Sequence, residues 1–255
     1  LRQADADMTQ GVIWRQLLDF AVPMALGLLF QQLYNTVDTI VVGQFVGKEA
    51  LAAVGSVGSV VNMLVGLCAG LSTGASVIIS QCYGAHDNAR LHDAVHTTIA
   101  LTFLLCIAAT VVGLAMVPLM LDLMATPADV IELSREYLNI YFAGITGLLI
   151  YNMGSGILRA VGDAKRPLYF LIAASLCNIV LDLLLVVVFH MGVAGVAIAT
   201  VCSQILSAVL VVLSLMSVKG EAFRLVPREL RFHAQPFEAI MLIGIPTALQ
   251  SVMYS

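Results

Sequence analysis

Two aspartates, Asp38 and Asp182, sit inside long apolar stretches with no Lys or Arg near either of them. A carboxylate in bilayer hydrocarbon costs on the order of 2.5–3.5 kcal/mol on insertion scales, so an acid placed there is a functional candidate by default. With no basic partner at hand, the compensating charge must come from solution, and a proton or a sodium ion is the simplest source. Asn178 lies one helical turn before Asp182 on the same face, and Asn35 lies one turn before Asp38. Carboxylates, amide oxygens and a hydroxyl at Thr200 are hard donors, suited to H⁺ or Na⁺ rather than to a transition metal. Two carboxyl groups brought together would titrate as a coupled pair. The plainer alternative is that each acid only bonds a neighbouring helix, but one polar contact does not require two unpaired acids.

No other cluster carries comparable chemistry. The five cysteines, Cys68, Cys82, Cys106, Cys177 and Cys202, form no CxxC pair and all lie in apolar segments, as small packing residues do. His92 and His96 are spaced to share a metal, yet no third ligand accompanies them, so a solvated helix end is the expected reading. No cofactor is implied beyond the coupling ion, and nothing suggests an enzyme.

The elements that hold the acids are membrane spans. The chain is 60% hydrophobic and 11% charged, with a net charge of −4 that gives nucleic acid no foothold. A hydrocarbon core of about 30 Å takes about 20 apolar helical residues. Six such stretches read as complete, over 17–45, 51–82, 94–121, 131–158, 168–190 and 193–217, and a seventh begins near Phe237. Turn and charge signals such as Val46-Gly47-Lys48-Glu49 and Gly162-Asp163-Ala164-Lys165-Arg166-Pro167 separate them, and His190-Met191-Gly192 makes the fifth and sixth an antiparallel hairpin. The N-terminus lacks the pattern of a secretory signal.

Orientation follows from Lys and Arg. One set of loops holds Arg2, Arg15, Arg90, Arg159, Lys165, Arg166, Lys219, Arg224, Arg228 and Arg231, whereas the other holds only Lys48 and Arg135. The N-terminus is therefore expected in the cytoplasm, in a multi-pass protein of the inner (plasma) membrane. The first and fifth stretches then run outward, leaving the membrane near Phe45 and Phe189, each seven residues beyond its acid. At 1.5 Å per residue both acids lie roughly 10 Å below the outer surface. The sixth stretch returns inward and reaches Thr200 at nearly the same depth.

The expected organisation is a cytoplasmic N-terminal tail (1–14), a six-helix lobe (15–217), an amphipathic cytoplasmic connector (218–236) lying on the anionic inner leaflet or in solvent, and the start of a seventh span (237–255). Pro23-Met24-Ala25-Leu26 and Pro246-Thr247-Ala248-Leu249 repeat a pattern 223 residues apart, which suggests an incomplete, pseudo-symmetric transporter whose second lobe is missing, with Ser255 mapping onto Gln32. Pro23 lies inside the first span and permits bending. Gly27, Gly43, Gly55, Gly58, Gly66, Gly70 and Gly74 suit close helix packing.

Taken together, Pro23, Asn35-Thr36-Val37-Asp38, Val42-Gly43, Leu158-Arg159-Ala160-Val161-Gly162-Asp163-Ala164-Lys165, Asn178-Ile179-Val180-Leu181-Asp182 and Thr200 resemble the multidrug and toxic compound extrusion (MATE) transporters, in particular their DinF-like prokaryotic branch. The resemblance implies an all-α polytopic fold of two six-helix lobes around a cavity open to one side at a time. It also implies antiport of drugs, often organic cations, against H⁺ or Na⁺. The cation would sit at Asp38, Asn178, Asp182 and Thr200, which become metal ligands if the ion is Na⁺, and Pro23 would act as a hinge. Where some relatives carry a further Asn in the fourth span, this chain has Ser155, with Asn152 a turn away. Gln32, Tyr34, Asn62, Tyr151 and Asn152 are candidates for the substrate cavity. The expected partners are small-molecule drugs and membrane lipids, with the protein acting as a monomer. A lipid or lipid-linked-sugar flippase is the main alternative, but such cavities tend to be cationic and the spans read as lacking a central Lys or Arg. A membrane-embedded enzyme would need a metal-diphosphate motif or a catalytic dyad, and neither is present.

Overall fold

The computed structural model describes residues 13–124, 126–218 and 220–253. Most of the expected tail, with Arg2, lies outside the described residues, as do Lys219 and Ser255. All regular elements among those described are helices. They are α1 (Ile13–Val41), α2 (Lys48–Gly84), α3 (Asn88–Leu123), α4 (Ile131–Ala143), α5 (Ile145–Ala160), α6 (Lys165–Asp182), α7 (Gly192–Ser217) and α8 (Ala234–Met253). A π-helical segment extends α1 over Val42–Val46, and another extends α6 over Leu183–Val188. Capping fixes two of the starts. The Asp87 side chain accepts from Arg90 N at 3.1 Å, and Asp163 Oδ1 accepts from Lys165 N and Arg166 N at 3.2 and 3.1 Å.

Six of these helices are long and apolar enough to cross a bilayer, or seven spans when α4 and α5 count as one. The stretch expected as a single span over 131–158 is bent by 48° between α4 and α5. Gly144 stands at the elbow, where a β-carbon would come within 2.2 Å of the Val201 side chain. A glycine there lets α7 press into the bend.

Three apolar clusters fill the bundle, the smallest around Ala75, Leu101, Met153 and Ile240. Of the other two, the first surrounds Val57, Leu121, Leu138, Phe142, Ile145, Val186 and Val196, and the second surrounds Ile79, Leu91, Val95, Ile157, Leu158, Val211 and Leu215. Large apolar side chains also cover the outside, with Leu28 69% and Leu242 77% exposed. Helices that are apolar on both faces belong in a bilayer, where such surface faces lipid or another part of a membrane protein.

Two connector residues pack into the bundle. Phe223 and Leu225 are buried in the second cluster, with the Phe223 ring edge-on to Tyr83 at 6.4 Å. Val226 N donates to His96 Nε2 at 3.2 Å, and His233 N donates to Thr97 Oγ1 at 3.2 Å. The connector thus seals one end of the bundle, and His96 is fully buried rather than part of a solvated helix end. Its Nε2 accepts, so Nδ1 carries the hydrogen and donates to His92 O at 2.8 Å. Although His92, His96 and Glu229 place ligand atoms within 4.8 Å of one another, His96 has no lone pair left for a metal.

Helix α8 docks on α2 through small residues. A β-carbon on Gly70 would lie 2.2 Å from Ala248 Cα, and one on Gly74 would lie 2.6 Å from Gly244 Cα. The two backbones touch, so any side chain there forces them apart. Gly70→Leu in the full-length protein is expected to cost at least about 1–3 kcal/mol. The cost should appear as a lower midpoint of thermal denaturation in detergent. Gly58→Ala, where the added carbon meets nothing within 4 Å, should leave the midpoint unchanged.

Candidate cation site and cavity

Both acids stand next to the π-helical segments. Val42–Val46 begins one turn after Asp38, Leu183–Val188 follows directly on Asp182, and the two segments pack on each other. Their wider turns close through Gly47 N to Val42 O at 3.1 Å and Phe189 N to Leu184 O at 3.0 Å. Such turns occur often at functional sites, because one extra residue per turn rotates the side chains on either side of it. No feature of the sequence announced them.

Asp38 on α1, Asn178 and Asp182 on α6 and Thr200 on α7 are brought together, with the Asp38 carboxyl facing the Asp182 carboxyl and the Thr200 hydroxyl. Asp182 is 0% exposed, Asn178 1% and Thr200 5%. Asp38 Oδ1, both Asp182 oxygens, both Asn178 amide atoms and Thr200 Oγ1 are buried without a hydrogen-bond partner. These are six of the ten such atoms among the described residues. Buried polar atoms are nearly always paired, and each orphan costs about 1–3 kcal/mol.

The contrast with neighbouring hydroxyls is direct. Thr98, Thr102 and Ser203 each bond back to a carbonyl of their own helix at 2.7–2.8 Å, which satisfies them locally. The Thr200 hydroxyl does not, and remains available to a ligand. Five of the six unpaired atoms are oxygens, which a bound Na⁺ or shared protons would satisfy, and the sixth, Asn178 Nδ2, is a donor.

Other candidates are placed elsewhere. Asn35 is exposed, and its backbone carbonyl accepts from Thr39 Oγ1 at 2.8 Å. Ser155 is buried but its hydroxyl is committed to Asn152 O at 3.0 Å, and it leaves no orphan beside the acids. The fourth stretch instead contributes Tyr137 of α4, which is buried within electrostatic reach of both carboxylates. Tyr137 was missed because a tyrosine at helical spacing in an apolar run reads as packing.

A cavity of about 340 Å³ adjoins the acids, and Asn178 belongs to its wall. Tyr34, Tyr151 and Asn152 line it, as does Pro23, which is buried in the middle of α1. Gln32 and Asn62 do not line it and are exposed, so their place in this cavity is corrected, with Gln31 and Gln204 supplying amides instead. One residue of offset turns a helical side chain by about 100°, and depth gives no hint of it. Arg159 also lines the cavity. The reading of Arg159 as a loop charge, and of the spans as free of an inward-facing cation, is therefore corrected. Its removal from the loop charges leaves nine of the ten against two and does not alter the expected orientation.

The comparisons with known proteins agree with this geometry. A family model described as MatE matches residues 23–184. The chain belongs to the MATE family. It is 32% identical over 97% of its length to the probable multidrug resistance protein YpnP of Bacillus subtilis (strain 168), of which it covers 55%. It superposes with a TM-score of 0.91 and 28% identity on a solved multidrug resistance MATE family transporter of the MOP superfamily in an outward-facing conformation. That match covers 98% of this chain and 55% of the other. A MATE crystal structure in a bent conformation matches with a TM-score of 0.90 at 28% identity, again over 98% of this chain and 56% of the other. This MATE chain spans about half the length of the relatives it matches. It is a multi-pass membrane protein in which Asp38, Asn178, Asp182 and Thr200 meet beside a cavity.

Proposed function

We propose that the full-length protein is a secondary active multidrug efflux transporter, exchanging organic compounds for H⁺ or Na⁺ by alternating access. The cation binds at Asp38, Asn178, Asp182 and Thr200. The observation that carries this reading is the set of six buried, unpartnered polar atoms on those four residues. A site that leaves so many groups unpaired when empty holds its ligand tightly, and a ligand shifts a two-state protein only by its different affinity for the two states. Because Asn178 belongs both to the cation set and to the cavity wall, occupancy by the cation alters the wall that a substrate touches. Substrate then leaves as the cation enters. Pro23, on the same wall, removes one backbone bond from α1 and supplies the place where that helix bends. The N-terminus faces the cytoplasm, as the Lys and Arg distribution supports.

The test is efflux of an organic-cation dye by the full-length protein in proteoliposomes, with proton and Na⁺ gradients imposed separately. Acceleration by one of the two gradients is expected. Efflux indifferent to both would overturn the antiport reading. A lipid flippase is the second reading, and the Arg159 cation in the cavity is the observation in its favour. A volume of about 340 Å³ falls in the range of small-molecule sites and favours a drug-sized occupant.

A further inference from the structure

The cavity has two chemically different ends. Its lining on α6 runs from Ala164 to Asn178, fourteen residues or roughly 20 Å. At the Asn178 end lie the two acids. At the other end, beside the turn that begins α6, stands Arg159, half-buried and with no hydrogen bond or ion pair among the described residues. Among the described residues, no Asp or Glu lines the cavity.

Between the ends, most of the polar lining is already satisfied. Ser175 bonds to Leu171 O, Ser203 to Thr200 O, Ser207 to Gln204 O and Asn152 Nδ2 to Leu148 O, all at 2.8 Å. The Tyr151 hydroxyl donates to Pro167 O at 3.1 Å, and among the described residues no hydrogen bond joins it to Arg159. A guanidinium carries five N–H donors in a planar fork that matches a carboxylate in two parallel bonds. Here no described residue bonds any of the five, and the half-buried side chain on the cavity wall has its charge less screened than at an open surface.

We propose that Arg159 anchors an acidic group, a carboxylate, on the transported molecule. This rests on the reading of the cavity as the substrate site and adds to its substrate class molecules that bear an acid. The same geometry suits zwitterions, whose amine then points along the cavity toward Asp38 and Asp182.

A matched dye pair tests this: a rhodamine with a free benzoic acid and the methyl ester of the same rhodamine. Binding of each to the full-length protein in detergent is measured by fluorescence anisotropy, and efflux in proteoliposomes. For Arg159→Gln the acid is expected to bind about ten- to a hundredfold more weakly, as for a lost charge-assisted bond, while the ester changes less than about twofold. Arg159→Lys should recover part of the affinity for the acid, because it keeps the charge and loses the fork. Equal losses for both dyes would assign Arg159 to the shape of the cavity and overturn the proposal. So would unchanged binding of the acid. Wild-type protein that neither binds nor exports either dye would overturn the efflux reading itself, an outcome distinct from any difference between variants.

Discussion

Replacing both acids in the full-length protein, as Asp38→Asn/Asp182→Asn, is expected to abolish gradient-driven efflux while expression and membrane insertion stay intact. Asparagine keeps the volume of aspartate, removes the charge and replaces one acceptor oxygen with a donor amide. In the wild type the Asp38 and Asp182 carboxyls face each other with buried oxygens unpaired, so a cation is the partner they lack. Removing one side of a buried charge interaction costs about 3–5 kcal/mol. The cation therefore loses more than about a hundredfold in affinity, and with it the power to distinguish one conformation from the other. Dye efflux under imposed proton or Na⁺ gradients reads the effect, and a size-exclusion profile like that of the wild type shows that folding is unaffected. Undiminished efflux by the double variant would place the coupling in the part of the relatives' length that this chain does not span.

Asn178→Leu is expected to separate stability from function. Asn178 is 1% exposed, and both its amide nitrogen and its amide oxygen lack a partner. Each unmet group costs about 1–3 kcal/mol, and leucine has nearly the same volume without the polar atoms. The variant should thus be more stable than the wild type by a similar amount, seen as a higher midpoint of thermal denaturation in detergent. It should also lose coupled efflux, because the cation loses an oxygen ligand and the cavity loses the residue it shares with the site. Such an exchange is common where a site is held in a strained or unsatisfied state. A lower midpoint would mean that the amide is paired in the native protein and that its place is structural.

Much of the fold was legible because a bilayer imposes length and composition on each span. The apolar runs between 17 and 217 appear as helices over closely similar ranges, and the tight turn at His190-Met191-Gly192 joins α6 to α7 as expected. The bend at Gly144 was not legible. A glycine in an apolar run reads equally well as helix interior, and only the Val201 side chain pressed against it shows why it is there. The inward packing of two connector residues was not legible for a related reason. The connector's apolar residues suit lipid, solvent interface or protein alike, and the unfilled end of the bundle decided among them by taking up Phe223 and Leu225.

Within the site, the sequence by itself determined which groups lack a charge partner and that they stand at matching distances from their span ends. Depth accumulates at a fixed rise per residue, so counting from the span ends was enough to put Asp38, Asp182 and Thr200 in one layer. The direction each side chain faces was decided only by tertiary structure. Asn35 and Asn178 both stand one turn before an acid, yet Asn35 is exposed and Asn178 is buried against the cavity. Azimuth depends on how neighbouring helices pack, and in this chain also on the π-helical turns after Asp38 and Asp182, which shift the phase of each helix locally. Arg159 obeys the same rule. By position it is a charge at a helix end, and it lines the cavity only because the turn at Gly162 and Asp163 folds α6 back alongside it.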